Sequence, residues 1–266
     1  MDLQQSALAA IIGLVAGIIG GLAGIGGSMV MLPGLAIVFG FAGDPAHAKQ
    51  HVYQAAAMTV NVLVALPATL SHTRAGAVRR DLVIGLLPWM AAAIVGGVLI
   101  SNLVPGGQLK RGLAIFIGGY CLVNLYRVVK PRGPGEPEPE PPRRATLALT
   151  GTLAGLVGGV LGLGGGVVTV PMLQVAARVR LRQAIAASSA TMVLTAAIGA
   201  ALKLGTLGEH GQKASEALWL ALAMGPMAVA GALVGAALTH ALPLRWVRLT
   251  VSILLLLAAA RMATAT

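Results

Sequence analysis

Acidic residues are scarce in this chain, and none of the eight lies within a long apolar run. Asp2, Asp44, Asp81, Glu136, Glu138, Glu140, Glu209 and Glu216 fall between such runs or at their edges. That argues against a proton relay or cation site built from buried carboxylates. Charged residues of both signs make up only 10% of the chain, against roughly a quarter in a soluble domain. So few charges cannot cover a water-facing surface. Cysteine occurs once, at Cys121 in an apolar segment. No disulfide can form within one chain, and Cys121 reads as a small buried apolar side chain. No nucleophile–base pair, metal cluster or cofactor motif appears; His47, His51 and Asp44 match no metal-ligand spacing. An enzyme reading therefore has no residues to rest on, and neither cofactor nor metal is expected.

What is present is apolar. Hydrophobic residues make up 57% of the 266, and the mean hydropathy is +0.86. Apolar runs fill most of the length, which predicts a polytopic membrane protein. The start is polar, with one acid and no base before Ala7, so no cleavable signal peptide is expected. The net charge of +11 does not mark a nucleic-acid binder. The 19 basic residues are scattered through short loops, where Lys and Arg set topology.

Residues 13–33 read GLVAGIIGGLAGIGGSMVMLP, and residues 151–171 read GTLAGLVGGVLGLGGGVVTVP. With a fixed offset of 138 and no gaps, ten of 21 positions are identical. An internal duplication follows. Apolar segments fall at 7–41, 52–71, 82–104, 111–129, 145–177, 184–207, 214–241 and 243–263. Most match the ~20 residues that span a bilayer core. The first and fifth are longer, about 33–35 residues, and a straight helix of that length would reach about 50 Å. Their internal glycines and proline predict a break. Residues 131–144, PRGPGEPEPEPPRR, are too rich in proline for a helix and form an extended, solvated linker. The expected organisation is a first repeat at 1–130, the linker at 131–144 and a second repeat at 145–266.

Counting Lys and Arg decides between topologies. If all eight segments cross, the two sides hold 11 and 8 basic residues. If the first and fifth enter and leave on one side as hairpins, the division becomes 13 against 6. The positive-inside rule prefers the hairpins. Each half then crosses three times, so the halves are inverted relative to each other. The expected fold is all-α, with two homologous inverted repeats, each a glycine-rich broken or re-entrant helix plus three transmembrane helices.

Irregular backbone in a bilayer needs protein or a wet cavity around it, so paired breaks point to a shared midplane site. At Gly24, Gly26, Gly27 and Ser28, and again at Gly162, Gly164, Gly165 and Gly166, the backbone can present N–H groups ahead of a half-helix. Such a helix start favours an anion without any side-chain cation. Gly13, Gly17 and Gly21, with Gly151, Gly155 and Gly159, are spaced by four and read as helix-packing glycines. The segment after each break carries polar residues: Gln54, Thr59 and Asn61 in one, Ser188, Ser189, Thr191 and Thr195 in the other. These could donate to sulfonate or carboxylate oxygens; the plainer role is bonding to helix backbone. His72 and Lys203, near corresponding segment ends, could lend positive charge to the path, or Lys203 could snorkel.

The duplicated G-x-x-x-G-x-x-G-G-x-x-G-x-G-G-[SG]-x-x-x-x-P, each copy followed by a polar-bearing helix, resembles the sulfite exporter TauE/SafE family, also called the toluene sulfonate uptake permease family. The likeness runs from Gly13 to about Arg261. It implies a multi-pass inner-membrane transporter of small sulfur-containing anions such as sulfite, sulfoacetate or other sulfonates. The expectation is alternating access, the anion held at the two breaks by backbone amides, Ser28, Gln54, Asn61, Ser188 and Ser189, with His72 and Lys203. The expected partners are that anion, the lipid bilayer and a coupling ion, H+ or Na+; a homodimer stays open, and nucleic acid is not expected. A passive anion channel, a carrier of another small organic anion and a non-transporting membrane scaffold remain as alternatives.

Overall fold

The computed structural model describes residues 3–39, 49–129, 142–241, 252–253 and 255–256. Residues 131–141 of the Pro/Glu linker, Asp44 and His47, and most of the segment at 243–263 lie outside the described residues. Among the described residues the chain is helical and contains no strand: α1 (Leu3–Ala23), α2 (Ser28–Phe39), α3 (Lys49–Arg74), α4 (Arg80–Leu103), α5 (Gly106–Val129), α6 (Arg144–Leu161), α7 (Gly166–Val175), α8 (Leu181–Thr206) and α9 (Ala214–Ala241). A short 3-10 turn, Leu207–His210, follows α8. Six helices (α1, α3, α4, α6, α8 and α9) are long and apolar enough to cross a bilayer, while α2 and α7 are too short. This is the architecture of a multi-pass membrane protein.

Both over-long apolar segments are broken, and glycine does the breaking. Gly24 and Gly26 adopt φ of +65° and +77°, and Gly162, Gly164 and Gly165 adopt +75°, +71° and +94°. A side chain resists that region, so a helix ends there at little cost only with glycine. The prolines play no part in the break. Pro33 and Pro171 sit inside α2 and α7, past the turn. The first segment then doubles back: a Cβ placed on Gly34 would meet Ile12, and one on Gly27 would meet Ala16. In the second, Gly158 faces Gly164 and Gly165 in the same way.

The four-spaced glycines let helix backbones touch. Cβ atoms at Gly13, Gly17 and Gly21 would land on the backbone of Met224, Ala228 and Ala232 in α9. Those at Gly151, Gly155 and Gly159 would land on Leu86, Met90 and Ile94 in α4. Gly231 and Gly235 of α9, and Gly97 of α4, return the contact. Thus α1 packs on α9 and α6 on α4, so each half of the chain closes against the other. With lipid tails as apolar as leucine, such close approach is what holds membrane helices together. Gly97→Ala is therefore expected to lower the melting temperature of the detergent-solubilised protein, because its methyl would strike Leu156 O and Gly159 Cα. Overpacking of this kind costs about 1–3 kcal/mol or more. The neighbouring Gly96 faces open space, and Gly96→Ala should stabilise by up to ~1 kcal/mol.

The helices after the breaks, α3 and α8, pack against each other at the centre. Their buried faces carry Gln54, Asn61, Ser188, Ser189, Thr191, Thr195 and Lys203. Leucine, isoleucine and tryptophan residues of the other helices, among them Trp89, Ile115 and Trp219, are exposed toward the surroundings. An apolar surface thus encloses an apolar core with a polar seam along α3 and α8, which suits a bilayer.

Candidate functional site

The two glycine breaks meet at the centre of the bundle. A Cβ on Gly166 would fall 2.9 Å from Gly24 O and 3.0 Å from the carbonyl carbon of Ile25. Gly26 and Gly164 face the same two side chains, Asn61 of α3 and Met192 of α8. A half-turn of irregular backbone from each half of the chain is thus enclosed by the two polar helices.

Asn61 joins the breaks. It is fully buried. Its Oδ1 accepts from the amides of Gly27 at 2.8 Å and Ser28 at 3.2 Å. Its Nδ2 donates to Ser28 Oγ at 2.5 Å and to Leu163 O, in the opposite break, at 3.4 Å. All four hydrogen-bonding positions of the amide are used. Carbonyl oxygen toward two N–H donors and amide nitrogen toward two oxygens also fixes which way the group is turned.

The other half of the chain reaches back in the same manner. Ser188 Oγ donates to Gly24 O at 2.6 Å and lies 3.4 Å from Gly166 O. Gln54 Nε2 donates to Val160 O at 3.2 Å, and its Oε1 accepts from Ser101 Oγ at 3.1 Å. The Gln54 side chain also fills the space beside Gly162, where any Cβ would come within 2.6 Å of Gln54 Cγ. Thr195 Oγ1 donates to Gly164 O at 3.0 Å. Ser189 Oγ is buried with no hydrogen-bond partner. The carbonyls freed by the breaks are thereby held by side chains about two helical turns apart on each of α3 and α8.

The two half-helix starts differ. The first amides of α2 are occupied by Asn61 Oδ1, so the open cradle expected at 24–28 holds a side-chain oxygen where an anion oxygen would sit. Gly165 opens α7 with no side-chain cap. Of the remaining expected residues, Thr59 bonds only its own helix, to Ala55 O, and Thr191 does the same with Ala187 O and Ser188 O. His72 is buried in the last turn of α3, about 16 Å along the helix from Asn61. It does not meet Lys203. Lys203 is fully buried and does not snorkel: its Nζ donates to Asn102 Oδ1 at 2.8 Å and lies 2.9 Å from His51 Nδ1. Asn102, Ser101 and His210 have no marker in the sequence, and His51 stands there only as a histidine outside any metal-ligand spacing. They become visible only when α3, α4 and α8 converge, from residues 101 and 152 positions away from Lys203.

Fold and site together define a multi-pass helical membrane protein with a buried polar centre made of broken helices. The sulfite exporter TauE/SafE family model matches residues 9–262, and the chain belongs to that family, which is one of membrane transporters and not of enzymes. It is 27% identical over 268 residues to "Probable membrane transporter protein MamO" of Magnetospirillum gryphiswaldense, covering 88% of this chain and 41% of that one. It is 26% identical over 281 residues to the protein of the same name from Paramagnetospirillum magneticum, covering 90% and 42%. The chain thus spans about two fifths of the length of these curated relatives. No solved structure matches it.

Proposed function

We propose that this protein is a secondary transporter of small sulfur-containing anions, such as sulfite, sulfoacetate or other organosulfonates, in the bacterial inner membrane. One observation carries the reading: two glycine breaks from the two halves of the chain touch at a buried centre, each opening a short half-helix. The starts of α2 and α7 supply backbone N–H groups and partial positive charge to one small volume. No carboxylate of the described residues lies there to repel an anion. In the state described, Asn61 Oδ1 occupies the amides of α2. An arriving sulfonate or sulfite oxygen replaces it, and the uncapped start of α7 faces the anion from the other half. The Ser28 and Ser189 hydroxyls supply donors to the volume, while Ser188 and Gln54 hold the carbonyls of Gly24 and Val160 that frame it.

The topology that suits this role is two inverted repeats, 1–130 and 145–266, joined by the linker at 131–144. Segments 7–41 and 145–177 enter and leave on one side. Because Lys203 is inside the bundle and not in a loop, the basic residues divide 13 against 5, a larger bias than loop counting alone provides. Alternating access follows from the α1–α9 unit rocking against the α4–α6 unit about the fixed breaks, since each of these pairs locks one repeat to the other. Interlocked packing of α1 on α9 and of α6 on α4 gives two bodies that share a central seam.

The test is a melting-temperature screen of purified protein with sulfite, sulfoacetate, taurine, isethionate, thiosulfate and sulfate, chloride serving as control. A ligand at 100 times its Kd stabilises by about 2.7 kcal/mol, which raises the melting temperature by several degrees. At least one sulfur anion is expected to do so in wild type and to lose the effect in Gly26→Leu with Gly165→Leu. A flat response to every anion at millimolar concentration would contradict the proposal.

A further inference from the structure

At the N-terminal end of α3, side chains from four elements close into a cluster that anion binding does not account for. The Lys203 ammonium on α8 lies between Asn102 Oδ1 on α4 and Nδ1 of His51 on α3, at 2.8 and 2.9 Å. The ring of His51 stacks face to face on His210, with centroids 3.8 Å apart and planes 4° from parallel. Nε2 of His210 is buried with no hydrogen-bond partner. Among the described residues no carboxylate is bonded to any of the three bases.

This arrangement limits how much charge the cluster can hold. An ammonium is a donor only, so Lys203 selects the form of His51 with its lone pair on Nδ1 and its proton on Nε2. A proton on His51 Nδ1 would remove that acceptor and place a second cation beside the first. His210 Nε2 is the open seat, but its ring lies flat against His51. With Lys203 as the ammonium, the cluster holds one positive charge. It takes a second when a negative charge comes close.

The edge of the second break, Gly162, lies one turn away, and Asn61 at the anion seat is about 15 Å along α3 from His51. Gln54, three residues beyond His51, packs on Gly162 and bonds Val160 O, and Ser101, next to Asn102, donates to Gln54. We infer that Lys203, His51 and His210 form a proton-coupling site: each anion that enters the breaks brings one proton onto the imidazole pair, and both leave together on the far side. The proton comes from water at entry and returns to water at exit, with no covalent bond made. This inference rests on the anion-transport reading above.

The experiment uses proteoliposomes of the full chain with the membrane potential clamped at zero. The probe is whichever of sulfoacetate, isethionate and thiosulfate gives the strongest wild-type counterflow. With the outside one pH unit more acidic, wild type is expected to accumulate the anion about tenfold, the ratio that one proton per anion sets. His51→Asn with His210→Asn keeps an acceptor for Lys203 but removes both imidazoles, the groups that take the coupled proton. It is expected to retain counterflow while accumulation falls to a ratio near one. Trapped pyranine reads the proton directly in wild type: lumenal acidification on anion addition supports coupling. Absence of acidification, or tenfold accumulation by the double variant, would overturn it. Absence of counterflow for every anion would overturn the transport reading itself, and this inference with it.

Discussion

Asn61→Asp is expected to fold and to lose transport. The aspartate carboxylate can still accept from the Gly27 and Ser28 amides, which Asn61 Oδ1 holds at 2.8 and 3.2 Å. It puts a permanent negative charge on the spot that the anion must take. A like charge about 5 Å away at an effective dielectric of 20 costs about 3 kcal/mol, a loss of ~100-fold in affinity. Asn61→Ala fails differently. It strands two buried amides and the carbonyl of Leu163, at ~1–3 kcal/mol for each unsatisfied group. Its melting temperature should fall by roughly 5–15 °C. Asn61→Asp also loses the donor to Leu163 O and so should melt lower than wild type, and the informative contrast is that its loss of transport exceeds what its stability explains, whereas in Asn61→Ala the two fall together. Initial uptake rates and melting curves on the same preparations measure both.

Gly26→Ala should abolish transport although it adds one methyl group. The residue stands at φ +77°, and the new Cβ would lie 2.8 Å from Met192 Sδ and 3.1 Å from Asn61 Oδ1. Backbone strain alone costs about 1–2 kcal/mol. The displaced Asn61 amide then releases both breaks at once. Gly76→Ala is the matched control: it has φ +67° and nothing within 4 Å. It should show the strain cost without loss of transport. If the two variants transport equally, the glycines of the break serve the backbone alone and not a ligand.

The broad plan of this molecule was legible in its sequence because it depends on local chemistry. Glycine-rich runs too long for one helix must break, and glycines spaced by four must lie on one face. Both expectations agree with α1–α2 and α6–α7 and with the contacts of Gly17 and Gly155. The partners of those faces were not legible. Nothing in residues 13–21 says that their backbone will rest on α9 instead of a nearer helix. Residue type was also a poor guide to role. Thr59 and Thr195 looked alike, yet one bonds its own helix and the other holds Gly164 O, because they occupy different faces of their helices. The same limit hid the cluster at Lys203. Its charge was noticed, but its acceptors come from α3 and α4, so His72 was the apparent partner and His51 the actual one. In the sequence Asn61 stands only as one of several polar residues after the first break. That it caps α2 and reaches Leu163 O came only with the geometry.

The transport reading and the structural reading of the breaks diverge most sharply in a counterflow assay. Proteoliposomes are loaded with millimolar unlabelled sulfonate or sulfite and diluted into a trace of the labelled anion. A carrier with one site at the breaks predicts a transient overshoot of label that saturates with internal anion and vanishes in Asn61→Asp and Gly26→Ala. Uptake without overshoot, linear in concentration and accompanied by current, would indicate a channel. Uptake no greater than in empty vesicles, or undiminished in both variants, would contradict the account.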